Sequence, residues 1–230
     1  MVRSVDSSLA AKLLPGVLSV IAGSVDVISL LRLGGLFAAH ITGNLVILAS
    51  HLVTGRAGPL TQILSVPIFI MVLALTRLAA AGLEESHHGS LRPLLALHFI
   101  LLTSVVAICV SAGFGLDPAS PTAVFAGMVG VAAMAVQNAL VQISLVGAPA
   151  TAVMTTDVTA IVMDVGAMPF QRDPDVLARA GSRARHTWPA VVGFAVGCGL
   201  GAVLDAAIGP WSLALPTGFA LLALGLSSRV

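Results

Sequence analysis

The sequence predicts an all-α integral membrane protein made of two inverted three-helix repeats, each with a broken or re-entrant segment. Three features favour this fold class: an apolar composition, apolar runs of membrane-spanning length, and a polar pattern that occurs once in each half. Of the 230 residues, 57% are hydrophobic and 9% are charged, whereas a soluble domain carries about 25% charged residues. Every polar stretch is short, so we expect a single transmembrane domain over residues 1–230.

The apolar runs have about the length that a bilayer crossing requires. If every run crosses the membrane, the chain has eight spanning helices in two parallel repeats. If the second run of each half is broken or re-entrant, each half crosses three times and the repeats are inverted. The runs divide equally between repeat 1 (13–116) and repeat 2 (121–228), at 13–31, 33–53, 60–82, 94–116, 121–146, 148–168, 188–208 and 211–228.

The basic residues favour the inverted arrangement, because cytoplasmic loops are enriched in Lys and Arg. In the eight-helix arrangement, Arg77 and Arg92 fall on the outer side. In the inverted arrangement only Arg56 lies outside and Arg32 stays at membrane depth, and both termini are cytoplasmic. The remaining basic residues then lie inside, several of them in a long polar loop at 170–187: Arg3, Lys12, Arg77, Arg92, Arg172, Arg179, Arg183, Arg185 and Arg229.

Glycine and proline mark the predicted breaks. We expect the second run of each half to be interrupted near Thr42 and Thr155, with Gly43 as a further soft point. Leu33-Gly34-Gly35 and Val146-Gly147-Ala148-Pro149 occupy matching places in the two halves. Glycine loosens a helix and proline removes a backbone donor. A break at membrane depth leaves free N–H groups at the next helix start, which suit an anion or a carboxylate, and Thr42 and Thr155 are the expected caps. The alternative is a pair of ordinary helices joined by tight glycine turns.

A repeated polar pattern marks the candidate site. Asp26 precedes Asn44 in the first half, and Asn138 precedes Asp157 in the second, so each half contributes one carboxylate and one amide in swapped order. A carboxylate in hydrocarbon costs several kcal/mol and normally faces protein or a water-filled cavity. Matching polar residues in two membrane repeats suggest a site between them. We expect both carboxylates to line one central cavity and to face the amides; the alternative for Asp26 is a purely structural carboxylate.

Two more polar residues belong to the predicted site. Arg32 could hold an anionic solute in a forked contact, pair with Asp26, or extend to the membrane interface. Gln137 could bind a polar solute or join helices by hydrogen bonds. The expected substrate- or ion-binding residues are therefore Asp26, Arg32, Thr42, Asn44, Gln137, Asn138, Thr155 and Asp157.

Rows of small residues predict a close helix contact. One row comprises Gly16, Ser19, Gly23 and Asp26, and the other comprises Gly193, Gly197, Gly201 and Asp205. We expect the second row to pack inside the chain, and the alternative is the seam of a homodimer. Asp205 should end that row in contact with water, and Asp164 should meet the arginine-rich loop.

Several function classes lack support in the sequence. There is no nucleophile elbow, phosphate loop or HExxH pair, so we expect no enzyme activity and no cofactor. A formal net charge of +1 gives no argument for nucleic acid. The pair His87-His88 lacks helical ligand spacing, and Cys109 and Cys198 lie in apolar runs as packing residues. We therefore expect no metal site.

One family resemblance rests on three motifs. The run Ala22-Gly23-Ser24-Val25-Asp26, then Leu33-Gly34-Gly35-Leu36-Phe37 and Thr42-Gly43-Asn44, resembles the YoaK-like family. In the second half, Gln137-Asn138-Ala139 is also similar, whereas Thr155-Thr156-Asp157 departs from the family pattern. The resemblance implies a six-helix protein of the bacterial inner membrane, and it implies no substrate because the family has no established function.

These features predict a small secondary transporter or facilitator of a small polar solute, with an anion as one option. Proton or cation coupling would depend on the intramembrane carboxylates. The partners would be the solute or ion and the lipid bilayer. The alternative is a non-transporting membrane assembly or regulatory protein, which would be favoured if Asp26 and Asp157 were paired with backbone.

Overall fold

The computed structural model describes residues 9–54, 60–85, 89–113, 115–152, 154–167 and 173–229. Within these ranges the chain is helical and has no strands. Short 3₁₀ helices at Gly209–Leu213 and Ser227–Arg229 flank the last α-helix. The α-helices are α1 (Leu9–Arg32), α2 (Ile41–Val53), α3 (Leu60–Glu85), α4 (Leu91–Ala112), α5 (Pro121–Ser144), α6 (Met154–Ala167), α7 (Pro174–Ile208) and α8 (Ala214–Leu226).

Among the described residues, 5 helical segments are long and apolar enough to cross a membrane. Four of them lie in α1, α3, α4 and α5, and the last, Pro174–Leu226, contains both α7 and α8. Straight, its 53 residues would span about 80 Å, well beyond the roughly 30 Å of a hydrocarbon core. A break follows α7, where Gly209 has φ 62° and Pro210 removes a backbone donor.

The second run of each half begins with non-helical backbone. Residues 33–40 follow α1 and residues 145–152 follow α5; we call them the first and second return loops, because each folds back along the helix before it. The helices after them, α2 and α6, have only 13 and 14 residues and are too short to cross a bilayer alone. This length argues against eight spanning helices.

The breaks include three of the predicted glycines, but they end before Thr42 and Thr155, and Gly43 lies inside α2. Gly34 and Gly35 have φ values of 71° and 75°, and Gly147 has a φ of 87°. Side chains with a Cβ rarely adopt this left-handed region. The predicted threonine caps were wrong. His40 is the N-cap of α2 and makes no side-chain cap bond, and α6 begins at Met154, so Thr155 already lies inside the helix.

The glycine rows of α1 and α7 pack against each other inside the chain, as expected. A Cβ on Gly23 would lie 2.2 Å from the Phe194 carbonyl oxygen, and one on Gly197 would lie 2.2 Å from the Val20 oxygen. Gly16 lies opposite Pro189, near the start of the contact. Residue numbers therefore increase together along both helices, which shows that α1 and α7 run parallel.

The two first helices of the halves form the centre of the molecule. In α1 and α5, 67% of the most apolar window is buried, compared with 17% in α3. α5 packs against α3 and α4, and α8 packs against α1 and α4. The short helices lie at the side, α2 on α3 and α6 on α7. α4 and α5 run antiparallel, because Ser90 contacts Ser144 and His98 contacts Ala133.

Most of the predicted polar loop at 170–187 is helical, which corrects that expectation. Asp173 caps α7 by accepting a hydrogen bond from the Asp175 N–H at 2.9 Å, and Pro174 occupies the first turn. This Asp-Pro start is a favourable helix beginning. Arg179, Arg183 and Arg185 consequently lie on α7. Other residues named in the sequence-based predictions lie outside the described ranges: Arg3, Arg56, His87, His88 and Arg172.

Candidate functional site

Asp26 holds the first return loop against α1. Its side chain is only 3% exposed. The Ala39 N–H donates a hydrogen bond to Oδ1 at 2.7 Å, and the Nδ1 atom of His40 pairs with Oδ2. Both partners belong to the return loop, so the loop supplies the polar contacts that a carboxylate needs at this depth.

His40 connects Asp26 to the other half of the molecule. The imidazole lies close to the backbone of Ala152, in the second return loop. The rings of Phe37 and Phe194 contact it edge-on, at centroid distances of 6.2 and 5.5 Å. His40 was not among the site residues expected from the sequence. A signal was available, since His40-Ile41 stands where the resembling family has an apolar pair before the Thr-Gly-Asn motif.

Asn44 is completely buried and binds backbone rather than a carboxylate. The Phe37 N–H donates to its Oδ1 at 2.9 Å, and its Nδ2 donates to the Phe37 carbonyl at 2.6 Å. The amide therefore satisfies both backbone groups of one loop residue. We call this two-point contact the Asn44 clamp.

In the second half, Gln137 of α5 contacts the second return loop, as Asp26 of α1 contacts the first. Its Nε2 donates to the Thr151 hydroxyl at 3.1 Å and to the Leu18 carbonyl at 2.9 Å. The first bond holds the second return loop against α5, and the second joins the two halves. Asn138 instead donates to the Met134 carbonyl of its own helix at 2.9 Å. The expectation that Asn44 and Asn138 face the carboxylates is therefore wrong.

Asp157 lies in the first turn of α6 and is 8% exposed. Its carboxyl group lies close to the backbone of Ala150. Its Oδ2 atom is buried and has no hydrogen-bond partner among the described residues. The two predicted threonines, Thr42 and Thr155, are both exposed.

A cavity of about 450 Å³ lies beside Asp26. Asp26, His40 and Thr42 supply polar groups, and Phe37 and Phe194 form part of the apolar wall. The volume falls within the range of small-molecule sites, roughly 300–1,000 Å³. Asp157 does not line this cavity, whose lining is Asp26, Val27, Leu30, Phe37, His40, Thr42, Gly43, Phe194 and Cys198.

Arg32 pairs with Asp205 and not with Asp26. The Arg32 Nε contacts Asp205 Oδ1, and the two side chains are 20% and 11% exposed. The Ser212 hydroxyl lies 3.2 Å from the same oxygen. Because α1 and α7 run parallel, their C-terminal ends bring these residues together. Asp205 is thus part of a mostly buried ion pair, contrary to the expected water contact, and a second cavity of about 190 Å³ borders this pair.

Asp164 meets an arginine of α7, as expected. Arg183 donates two hydrogen bonds to it, at 2.6 and 3.0 Å. α6 is not among the candidate spanning segments, and the guanidinium lowers the pKa of the Asp164 carboxyl below its usual value. In the part of the chain that the structure describes, no three His, Cys, Asp or Glu side chains form a group that could hold a metal ion.

No curated protein and no solved structure matches the chain. The model of one family, described as proteins of unknown function, matches residues 14–226. The matched range contains both return loops, both short helices and every candidate site residue. The chain therefore belongs to the DUF1275 family.

Proposed function

We propose that the chain is a small secondary transporter or facilitator of a small polar solute, coupled to a proton or cation through its intramembrane carboxylates. One observation carries the proposal: the two return loops meet at the Asp26–His40 pair, beside a cavity of suitable size. Broken helices that meet near mid-membrane commonly form solute and ion sites in transporters built from repeats. The proposal requires no enzyme activity, no cofactor, no nucleic acid and no homodimer.

The solute would bind between the polar and aromatic sides of this cavity. Asp26, His40 and Thr42 can form hydrogen bonds with it, while Phe37 and Phe194 exclude water. A protonated His40 neutralises Asp26, so the cavity can accept an anion as well as a neutral solute. Arg32 does not line this cavity and is already paired with Asp205, so it is not part of the proposed solute contact.

The proposal includes six crossings in two inverted repeats, in the bacterial inner membrane with both termini in the cytoplasm. The helix packing supports the repeat, because exchanging the halves exchanges equivalent contacts. The α1–α7 contact becomes α5–α3, the α2–α3 contact becomes α6–α7, and the α4–α5 contact becomes α8–α1. Thiol labelling at Arg92→Cys and Arg179→Cys tests it: both sites should react from the cytoplasmic side, and reaction from opposite sides would exclude the inverted arrangement.

A transport assay in proteoliposomes tests the function. A pH-sensitive dye inside the vesicles should report proton movement that depends on one class among inorganic anions, small carboxylates and small amines. Asp26→Asn should abolish this movement while the protein stays folded. Asp164→Asn is the matched control, because this carboxylate lies on α6 and does not line the cavity, and it should behave as wild type. Equal transport by Asp26→Asn and wild type across the pH range would exclude the site.

Native cysteines provide a second readout of solute binding. Cys198 lines the cavity beside Asp26, whereas Cys109 borders the other cavity, near Arg32. A transported solute should slow the reaction of a small thiol reagent with Cys198 and leave Cys109 unchanged. Equal effects on both thiols would indicate a general change in the protein and would not support binding at this site.

One observation favours a second candidate, a non-transporting assembly or regulatory protein. Asp26 accepts a hydrogen bond from the Ala39 backbone, and Asp157 contacts the Ala150 backbone, as purely structural carboxylates would. Under this alternative, Asp26→Asn and Asp157→Asn should both impair folding, and no tested solute should move protons or protect Cys198.

A further inference from the structure

The two short helices each have a polar side chain in the first turn, but it is an amide in α2 and a carboxylate in α6. Asn44 and Asp157 each occupy the fourth position, in α2 and α6. Each contacts the backbone of the residue seven positions earlier, Phe37 and Ala150 respectively. The two side chains have nearly the same shape, so they are equivalent parts of the two return loops and differ only in one terminal atom.

That one atom decides whether the clamp is complete. An amide has both an acceptor and a donor, so Asn44 binds the N–H and the carbonyl of Phe37 together. An ionised carboxylate only accepts hydrogen bonds. Asp157 can therefore accept from the Ala150 backbone but cannot donate, and its buried Oδ2 has no partner among the described residues. Leaving a buried charged oxygen unpaired is unfavourable.

We propose that Asp157 is the residue that takes up the coupling proton, and that its protonation completes at Ala150 the clamp that Asn44 makes permanently at Phe37. This inference rests on the proposed function and assigns its coupling group. The proton comes from water, adds to Oδ2 and makes the carboxyl neutral. The new O–H then donates to the Ala150 carbonyl and holds the second return loop. Loss of the proton to water removes that bond and releases the loop.

The neighbouring charges leave this role to Asp157. α7 is the helix packed against α6, and its Arg183 is already paired with Asp164. His186 of α7 borders the same cavity as that pair. Across the centre, Asp26 is paired with His40, which reaches the second return loop at Ala152. No ion pair within the described residues includes Asp157, so its charge has no direct counter-ion.

Exchanging the two side chains tests the proposal. Amide hydrogen exchange of the full-length protein in detergent should be followed by mass spectrometry over a pH series, corrected for intrinsic exchange rates. In the wild type, exchange at 145–152 should rise about tenfold as Asp157 ionises, the change expected for one lost hydrogen bond. Asp157→Asn should keep this exchange low at every pH. Asn44→Asp should give the first return loop, 33–40, a larger pH response than that of the wild type, in which His40 is the titrating group of this loop.

Controls separate the clamp from a general effect of pH and from the transport proposal. Asp164→Asn, on the same helix, should retain the wild-type response. Infrared difference spectra should show a protonated-carboxyl band that Asp157→Asn removes and Asp26→Asn retains. A pH response that survives in Asp157→Asn would overturn the proposal, even if Asn44→Asp does not fold. Neither measurement requires a solute, so the two proposals can fail separately. If no solute is transported but the second return loop still responds to pH, only the proposed function is rejected.

Discussion

The first and second return loops perform the same structural task, but the first is held by a more complete set of contacts. In the first loop, Asp26 binds Ala39 and His40, and Asn44 satisfies both backbone groups of Phe37. Every polar side-chain atom of Asp26 and Asn44 therefore has a partner. The chain therefore has one return loop whose position does not depend on the addition of a further proton.

In the second loop, some of the corresponding polar side-chain atoms have no hydrogen-bond partner among the described residues. Gln137 donates twice, but its Oε1 is buried without a partner among the described residues. The Oδ2 atom of Asp157 is also buried and has no partner among the described residues. Incomplete polar contacts in a buried site are a source of conformational change, because a proton, a water or a solute can complete them. The difference indicates a fixed first loop and an adjustable second loop.

The largest expected effect on stability concerns the ends of α1 and α5, the helices that precede the two return loops. Arg32, at the end of α1, forms a mostly buried ion pair with Asp205, whereas the Ser144 hydroxyl, at the end of α5, lies 2.9 Å from the Ser90 hydroxyl. Arg32→Gln should destabilise the protein by about 3 kcal/mol, because it leaves a mostly buried carboxylate without its counter-ion. Ser144→Ala should lower the free energy of unfolding by about 1 kcal/mol. Denaturant unfolding in detergent measures both.

A double variant separates the missing ion pair from lost packing. Arg32→Gln combined with Asp205→Asn should recover a substantial part of the stability, since no unpaired charge then remains. If Arg32→Gln lowers the free energy of unfolding no more than Ser144→Ala does, the ends of α1 and α5 are stabilised equally. The difference between the two halves would then not include the ends of these helices.

The same end of α1 shows where sequence reasoning was sufficient and where it was not. Composition and run length predict the helices, and positive-φ glycines follow from Gly34-Gly35 and Gly147, because these features depend on local chemistry. The partner of Arg32 could not be predicted in this way. A row of small residues on α1 or α7 shows which face packs, but it contains no information on whether the two helices run parallel.

The candidate site shows the same limit. Asp26 and Asn44 were identified as important polar residues, because a charged or amide side chain is unusual in an apolar run. Their actual partners, His40 and the Phe37 backbone, are set by how residues 33–40 fold back along α1. The helical start of α7 was missed for a different reason: its polar residues resemble a loop, and the Asp173-Pro174 cap outweighs that composition.

The next largest effect should distinguish the two clamps directly. Asn44→Ala should lower the free energy of unfolding by about 2–3 kcal/mol. Asn44 is fully buried, and its loss leaves the N–H and the carbonyl of Phe37 without their partner. Asp157→Ala should cost about 1 kcal/mol or less, because it removes one backbone contact and also removes the unpaired Oδ2. Thermal unfolding in detergent gives the ranking. Equal losses would mean that the second clamp is already complete in the resting protein.

The smallest expected difference concerns the backbone, where the two loops should behave alike. Gly35→Ala and Gly147→Ala both place a Cβ on a residue with positive φ, at 75° and 87°. A Cβ added at Gly35 would have only the Gln62 Nε2 atom nearby, at 3.7 Å, and one added at Gly147 would have nothing within 4 Å. Strain alone should therefore destabilise each variant by about 1–2 kcal/mol. Gly199→Ala is the control, because this helical glycine of α7 also has nothing within 4 Å, and alanine there should not be destabilising. A large excess loss for Gly35→Ala would show that the loops differ in backbone as well as in side chains, and the equivalence on which the comparison depends would fail.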